Sequence, residues 1–211
     1  ISFSVENYVT IDKTILKVKT NSESLKESLN NIYTIVIQQN EACSFIDFSF
    51  KENNPEIIFN IPIEKISFGI NTIYLIDSNL NKLGERIIYK PYEIFNNTNL
   101  IAYKKSNDSI AISGTSKLPF ASLSISILPS ETISENNDNN IFNSLIFDNY
   151  LSNKNHNILC YLNDPSRKNK FELDNFLLTQ KSKYDWNSMM NNPPQKIFDF
   201  DKGLTVKGTI N

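Results

Sequence analysis

"INTIYLIDSNLNKLGERIIYK", Ile70 to Lys90, decides how this chain folds. Its first part, Ile70–Asp77, is rich in β-branched and aromatic residues, as a strand requires. Its last part, Glu85–Lys90, repeats that chemistry. Between them lies "DSNLNKLG", Asp77–Gly84, a cluster of residues that favours a turn. The stretch therefore predicts strand, turn, strand. Upstream the pattern recurs. "TILKVK" (Thr14–Lys19) alternates, and "IYTIVIQ" (Ile32–Gln38) is nearly continuous apolar sequence. "SFIDFSF" (Ser44–Phe50) sets Phe45, Asp47 and Ser49 opposite Ile46, Phe48 and Phe50. "EIIFNIP" (Glu56–Pro62) follows the turn signal "ENNP" (Glu52–Pro55). Short strands spaced roughly ten residues apart indicate a mainly β fold, an antiparallel β-sandwich. A closed barrel is the structural alternative.

Pro91 cannot donate to a strand ladder, which places a boundary near Pro91–Asn97. The expected units are a β-sandwich over 1–91, a second β-sandwich-like unit over 92–197, and the start of a further β domain over 198–211. The second unit opens with "LIAYKK" (Leu100–Lys105), "SIAIS" (Ser109–Ser113) and "ASLSISIL" (Ala121–Leu128). "SNDS" (Ser106–Ser109) forms the turn between the first two. In the third, Leu123, Ile125 and Ile127 alternate with serines, giving one dry face.

After the polar stretch Ser134–Asn140 the period changes. Ile141, Phe142, Leu145, Ile146 and Tyr150 fall on one helical face, and "LSNKNHN" ends that helix. "FELDNFLLTQKSKYDW" (Phe171–Trp186) reads as a second amphipathic helix, with Leu173, Phe176, Leu177 and Tyr184 on one side. Asn169 and Glu172 have capping-box spacing. Helices are thus expected over about 139–152 and 170–188, and "NNPP" (Asn191–Pro194) breaks the chain.

The chain has 211 residues, 40% of them hydrophobic, and a net charge of −2. Both signs are interspersed, so there is neither the basic footprint of a nucleic-acid binder nor a polybasic lipid signal. No apolar run is long enough to span a membrane. "ISFSVENYVT" has neither a basic start nor an apolar segment, so it is no signal peptide and reads as the opening of a mature or excised fragment.

Residues capable of chemistry are scattered. The five glycines are too far apart for a phosphate loop. The single histidine, His156, lies in an asparagine-rich loop with no nucleophile elbow anywhere in the chain. Cys43 and Cys160 fit either a disulfide or two separate thiols. His156 and Cys160 make a poor zinc site. Asp199 and Asp201 read as strand-edge carboxylates rather than a calcium loop. Tyr89, Tyr92, Phe95 and Tyr103 could stack on a sugar; packing between units is the plainer reading. No catalytic residue, cofactor or metal is expected.

Four stretches carry a resemblance. "FGINTIYLIDSNLNKLGERIIY" (Phe68–Tyr89) resembles the closing hairpin of a macroglobulin-like β-sandwich, with Gly69, Ile73, Leu75, Asp77, Glu85 and Arg86 at the matching places. "LPFASLSISILP" (Leu118–Pro129) is similar to a strand of the next such domain. "LDNFLLTQKSKYDW" (Leu173–Trp186) resembles the helix that follows it. "FDFDKGLTVKGTI" (Phe198–Ile210) resembles entry into a carboxypeptidase-regulatory-like domain. That order is similar to large envelope proteins of Bacteroidota that also carry a TonB-receptor plug domain. Lys181–Lys183 replaces the family's glycine-aromatic-basic run, and the thioester motif of protease-trapping macroglobulins is missing.

The resemblance implies a non-catalytic scaffold or interaction module, periplasmic or associated with the outer membrane of a Gram-negative bacterium. Its partners would be envelope or outer-membrane proteins. A glycan- or small-ligand-binding sandwich of an uptake system is the alternative, and an enzyme with an unrecognised carboxylate site is a third. Leu173, Phe176 and Leu177 should lie against the sandwich of their own, second unit. Tyr184, Asp185 and Trp186 are the candidate joint or partner contacts, with both rings buried; the rival reading makes Trp186 an exposed anchor.

Overall fold

The computed structural model describes residues 1–91, 98–107, 109–116, 127–129, 131, 141–153, 158–162 and 166–192. The fold is mainly β, built from antiparallel sheets with several helices. Strands β1 (Ser2–Glu6), β2 (Lys13–Lys19) and β5 (Glu56–Pro62) make one sheet, in the order β1-β2-β5. Strands β3 (Tyr33–Gln39), β4 (Ala42–Phe48), β6 (Gly69–Asp77) and β7 (Lys82–Lys90) make a second, in the order β4-β3-β6-β7. The two sheets are separate, so this is a sandwich and not the closed barrel.

Alternation puts the core between them. Val5, Leu16, Val18 and Ile61 of the first sheet meet Ile35, Ile37, Ile73, Leu75 and Ile88 of the second. Each such side chain, taken fully out of water, contributes roughly 1.5–3 kcal/mol. In β4 the expected alternation holds: Ile46 and Phe48 pack on this core while Phe45 is two-thirds exposed. The β4 strand stops at Phe48, and Phe50 reaches the core beyond it through an isolated bridge to Leu29.

The turn between β6 and β7 is tighter than the sequence suggests, because β7 begins at Lys82 rather than Glu85. Asp77 closes it: Oδ1 accepts from the backbone N–H of Asn79 and of Asn81, each at 2.8 Å, and Oδ2 accepts from Asn81 Nδ2 at 2.9 Å. These bonds hold the Asp77 carboxyl below its ordinary pKa, the Asn81 side chain contributing most. Gly84 is therefore a strand residue, and its missing side chain has a use. A Cβ placed there would lie 2.7 Å from Phe3 Cδ1 and closer still to Cε1. Gly84→Ala is expected to displace the Phe3 ring and cost about 1–3 kcal/mol. Urea denaturation measures the loss, and Phe3→Leu in the same chain should recover part of it. An unchanged midpoint for Gly84→Ala would refute this packing.

A short helix that the sequence reading missed, α1 (Ser22–Ser28), joins the two sheets. Asn21 caps it, accepting from Ser24 N at 2.7 Å. With Leu25 its only large buried apolar side chain, α1 has no period to detect. Asparagine supplies the left-handed turn positions Asn30, Asn40 and Asn53, a conformation that this residue tolerates better than most.

β6 is buried on both faces: every residue from Gly69 to Ile76 is enclosed. Its outer face, and those of β3 and β7, present Val36, Ile70, Tyr74, Ile76, Ile87 and Tyr89. The helical part of the chain covers them. This part comprises α2 (Ile141–Ile146), α3 (Leu159–Leu162), α4 (Arg167–Leu178) and α5 (Trp186–Asn191). Ile146, Phe147, Leu151, Ile158, Leu173 and Leu177 close over Ile70, Ile87 and Tyr89, while Trp186 closes over Val36, Tyr74 and Ile76. These helices were expected against a second sandwich; they lie on the first.

Several helix readings need correction. α2 ends at Ile146, not at "LSNKNHN"; the chain then turns, burying Phe147 and Leu151 and leaving Leu145 exposed. The cap of α4 is Ser166, which accepts from Asn169 N at 3.3 Å, so Asn169 is not the cap. α4 stops at Leu178, and Tyr184 is not on it. Ser182 instead bridges Leu151 in an extended stretch, and a new helix begins at Trp186. Strands β8 (Thr98–Ser106) and β9 (Ser109–Ser116) form a separate two-stranded hairpin. Ile127, assigned to a dry strand face, is exposed and in no strand. Leu123, Ile125, His156 and everything from residue 193 onward, with Asp199 and Asp201, lie outside the described residues.

Candidate functional site

Strand β7 carries three charged residues that tie the helical layer to the sheet. Lys82 Nζ bonds Glu85 Oε2 at 2.8 Å and reaches Asp185 Oδ1 at 3.4 Å. Glu85 Oε1 accepts from the backbone N–H of Ser182 at 3.0 Å. Arg86 Nη2 pairs with Asp174 Oδ2 at 2.8 Å and donates to the Asp174 carbonyl at 3.1 Å, while Nη1 donates to Ile87 O at 2.8 Å.

The last pair is the most deeply buried charge pair of the joint. Both side chains are more than nine-tenths buried. Burial pushes the Asp174 carboxyl up and the Arg86 guanidinium down, each opposed by its partner's charge. Asp174 Oδ1 has no hydrogen-bond partner and is closed off from water. Such a pair contributes little net stability, but it is costly to break.

The three candidate joint residues separate by role. Trp186 is buried; its Nε1 donates to Leu80 O at 2.8 Å, and its ring lies 5.0 Å from that of Tyr74. Leu80 has a left-handed backbone, φ 64°, in the β6–β7 turn, so the turn that closes the hairpin also supplies the acceptor for the indole. Asp185 caps α5, Oδ2 accepting from Ser188 N at 3.0 Å and from Ser188 Oγ at 3.1 Å. The Ser188 backbone bond is the largest cause holding the Asp185 carboxyl below its usual range. Tyr184 departs from expectation. Its ring is half exposed, and only its backbone carbonyl joins the site, accepting from Tyr74 Oη at 3.2 Å. Leu173 and Leu177 are fully enclosed, and Phe176 packs partly, beside Tyr161.

Sequence reasoning missed Lys82 and Asp174. The available signal was a charge inside each of two apolar runs, Arg86 in "ERIIY" and Asp174 in "LDNFLL". Opposite charges buried in apolar surfaces call for each other.

Of the residues weighed for chemistry, Cys43 and Cys160 are both exposed and are not bridged to each other. Desolvation raises the Cys43 thiol pKa. Tyr89 stacks on Phe147, ring centroids 5.2 Å apart, so that face is not offered to a sugar; Tyr103 is exposed on β8. Among the described residues, no group of three or more His, Cys, Asp or Glu side chains is placed to hold a metal ion, and no helix is long and apolar enough to cross a membrane.

A cleft of about 340 Å³ opens beside the joint, between the chain following β1, the end of β7 and the α3–α4 pair. Its walls include Ile63, Phe68, Tyr161, Leu162, Leu173 and Leu177, with Lys90 and Lys170 among its polar groups.

Comparison with family models, with curated proteins and with solved structures gives no match to this chain.

Proposed function

We propose that this chain is a non-catalytic scaffold or interaction module of a cell-envelope protein, of the macroglobulin-like kind found ahead of TonB-receptor plug domains. The observation that carries this reading is the joint on β7, where Lys82, Glu85 and Arg86 fix the helical layer against the sheet. A spacer needs such a joint, because it must hold its two ends in one fixed direction. The stretch likened to a closing sandwich hairpin falls on β6 and β7, and the stretch likened to the next helix falls on α4 and the start of α5. Placement in the envelope and partners among outer-membrane proteins rest on the resemblance.

Two measurements test the reading. Spin labels on the exposed Cys43 and Cys160 report the distance from the sheet to the helical layer. A rigid spacer gives one narrow distribution, and a broad one would remove the scaffold role. Fractionation of the source cells should place the protein with the outer membrane; a cytosolic pool would remove the envelope assignment.

A further inference from the structure

We propose that the cleft between the end of β7 and the α3–α4 pair binds an amphipathic anion, a small molecule with an aliphatic or aromatic body ending in a carboxylate. The inference stands apart from the scaffold reading and rests on shape and charge. At about 340 Å³ the cleft falls within the size of small-molecule sites, which run from roughly 300 to 1,000 Å³ and combine apolar walls with a few polar groups. Its rim keeps apolar surface in water: Ile11 is 87% and Phe68 41% exposed. An apolar ligand body would cover that surface.

Charge selects the other end of the ligand. Asp174 lines the cleft, but its charge is already answered by Arg86 at 2.8 Å. Lys90 and Lys170 also line it, and among the described residues neither makes a salt bridge to a carboxylate. Lys90 Nζ donates to Ile63 O and Ile66 O, each at 2.8 Å, and sits 4.2 Å from the centre of the Phe68 ring. Two bonds of an ammonium's three are thus used to fix it in place, leaving one donor. Lys170, half-buried on α4, supplies the second positive charge. Among the described residues that line the cleft, the one carboxylate is Asp174, already paired with Arg86, so the two cations make the cleft complementary to a single-headed anion. A neutral chain would leave the charge unanswered, and a cationic one would be repelled.

Titration calorimetry on the whole chain tests this with decanoate, decanol and decyltrimethylammonium as probes. Decanoate is expected to bind one to one. Decanol should bind about tenfold more weakly, the worth of one charge-assisted hydrogen bond, and decyltrimethylammonium should not bind. Lys170→Glu should weaken decanoate by at least as much while lowering the melting temperature only slightly, because the new carboxylate stands four residues before Asp174 on the same helix. Equal binding of the three probes, binding of several equivalents, or decanoate binding indifferent to Lys170→Glu would each overturn the proposal. The comparison of probes on the unmodified chain decides the matter even where the variant misfolds. Spin-label rigidity is read separately, so failure here leaves the scaffold reading to its own test.

Discussion

Trp186→Ala should cost about 3–5 kcal/mol, the range for truncating a large buried aromatic. The ring is 7% exposed and packs on Val36, Tyr74 and Ile76. Truncation opens the outer face of the four-stranded sheet and removes the indole bond to Leu80 O. Against a total stability of about 5–15 kcal/mol for a domain, this is a large share. Trp186→Phe keeps the ring contact with Tyr74 and loses the N–H donor, so it should cost about 1 kcal/mol. Chemical denaturation measures both. As the chain's only tryptophan, Trp186 also reports its own docking through a blue-shifted native emission. An unchanged melting curve for Trp186→Ala would mean that the helical layer is not seated on the sheet through this residue, and lost partner binding alongside would make it an exposed anchor.

Asp174→Ala should be comparably damaging for a different reason. It leaves the Arg86 guanidinium buried without its counter-charge, which costs about 3–5 kcal/mol. Replacing both partners, Arg86→Met with Asp174→Leu, removes the stranded charge and the unpartnered Oδ1 together. The double variant is expected near the stability of the unmodified chain or above it, since apolar replacement of buried pairs is often neutral or stabilising. A double-mutant cycle by urea denaturation gives the coupling directly. Should Asp174→Ala lose less than about 1 kcal/mol, the pair would be solvated like a surface bridge, contradicting its burial. Should the double variant be as unstable as the single one, the damage would come from packing rather than charge.

Much of the β fold was legible residue by residue. Alternation in "TILKVK" and "SFIDFSF" marks strands with one dry face, and both keep that pattern. The nearly continuous apolar run "IYTIVIQ" and the apolar stretch Ile73–Ile76 within "INTIYLID" carry more. Sequence with so little polar relief belongs to strands covered on both faces, so the sandwich core alone could not have satisfied it. Helix boundaries were less legible. The stretch Phe171–Trp186 has helical spacing at Leu173, Phe176 and Leu177, but Tyr184 extends that spacing by coincidence, and the chain leaves the helix at Thr179. Local propensity differs little between a continuing helix and one that stops, and the bridge of Ser182 to Leu151 settles the choice.

The sequence by itself determined strands β2 to β7 of the two sheets to within a few residues, that the fold is mainly β, and that an amphipathic helix comes after them. Those properties are periodic, and a period is visible without a partner. Only the tertiary structure decided what the helices cover. The same apolar stripe would fit its own unit or the outer face of β6, and contacts far apart in sequence selected the second. Arg86 meets Asp174, Glu85 meets Ser182, and Leu80 meets Trp186. A charge hidden in an apolar run announces that it needs a counterpart, but chain closure alone chooses which one it finds.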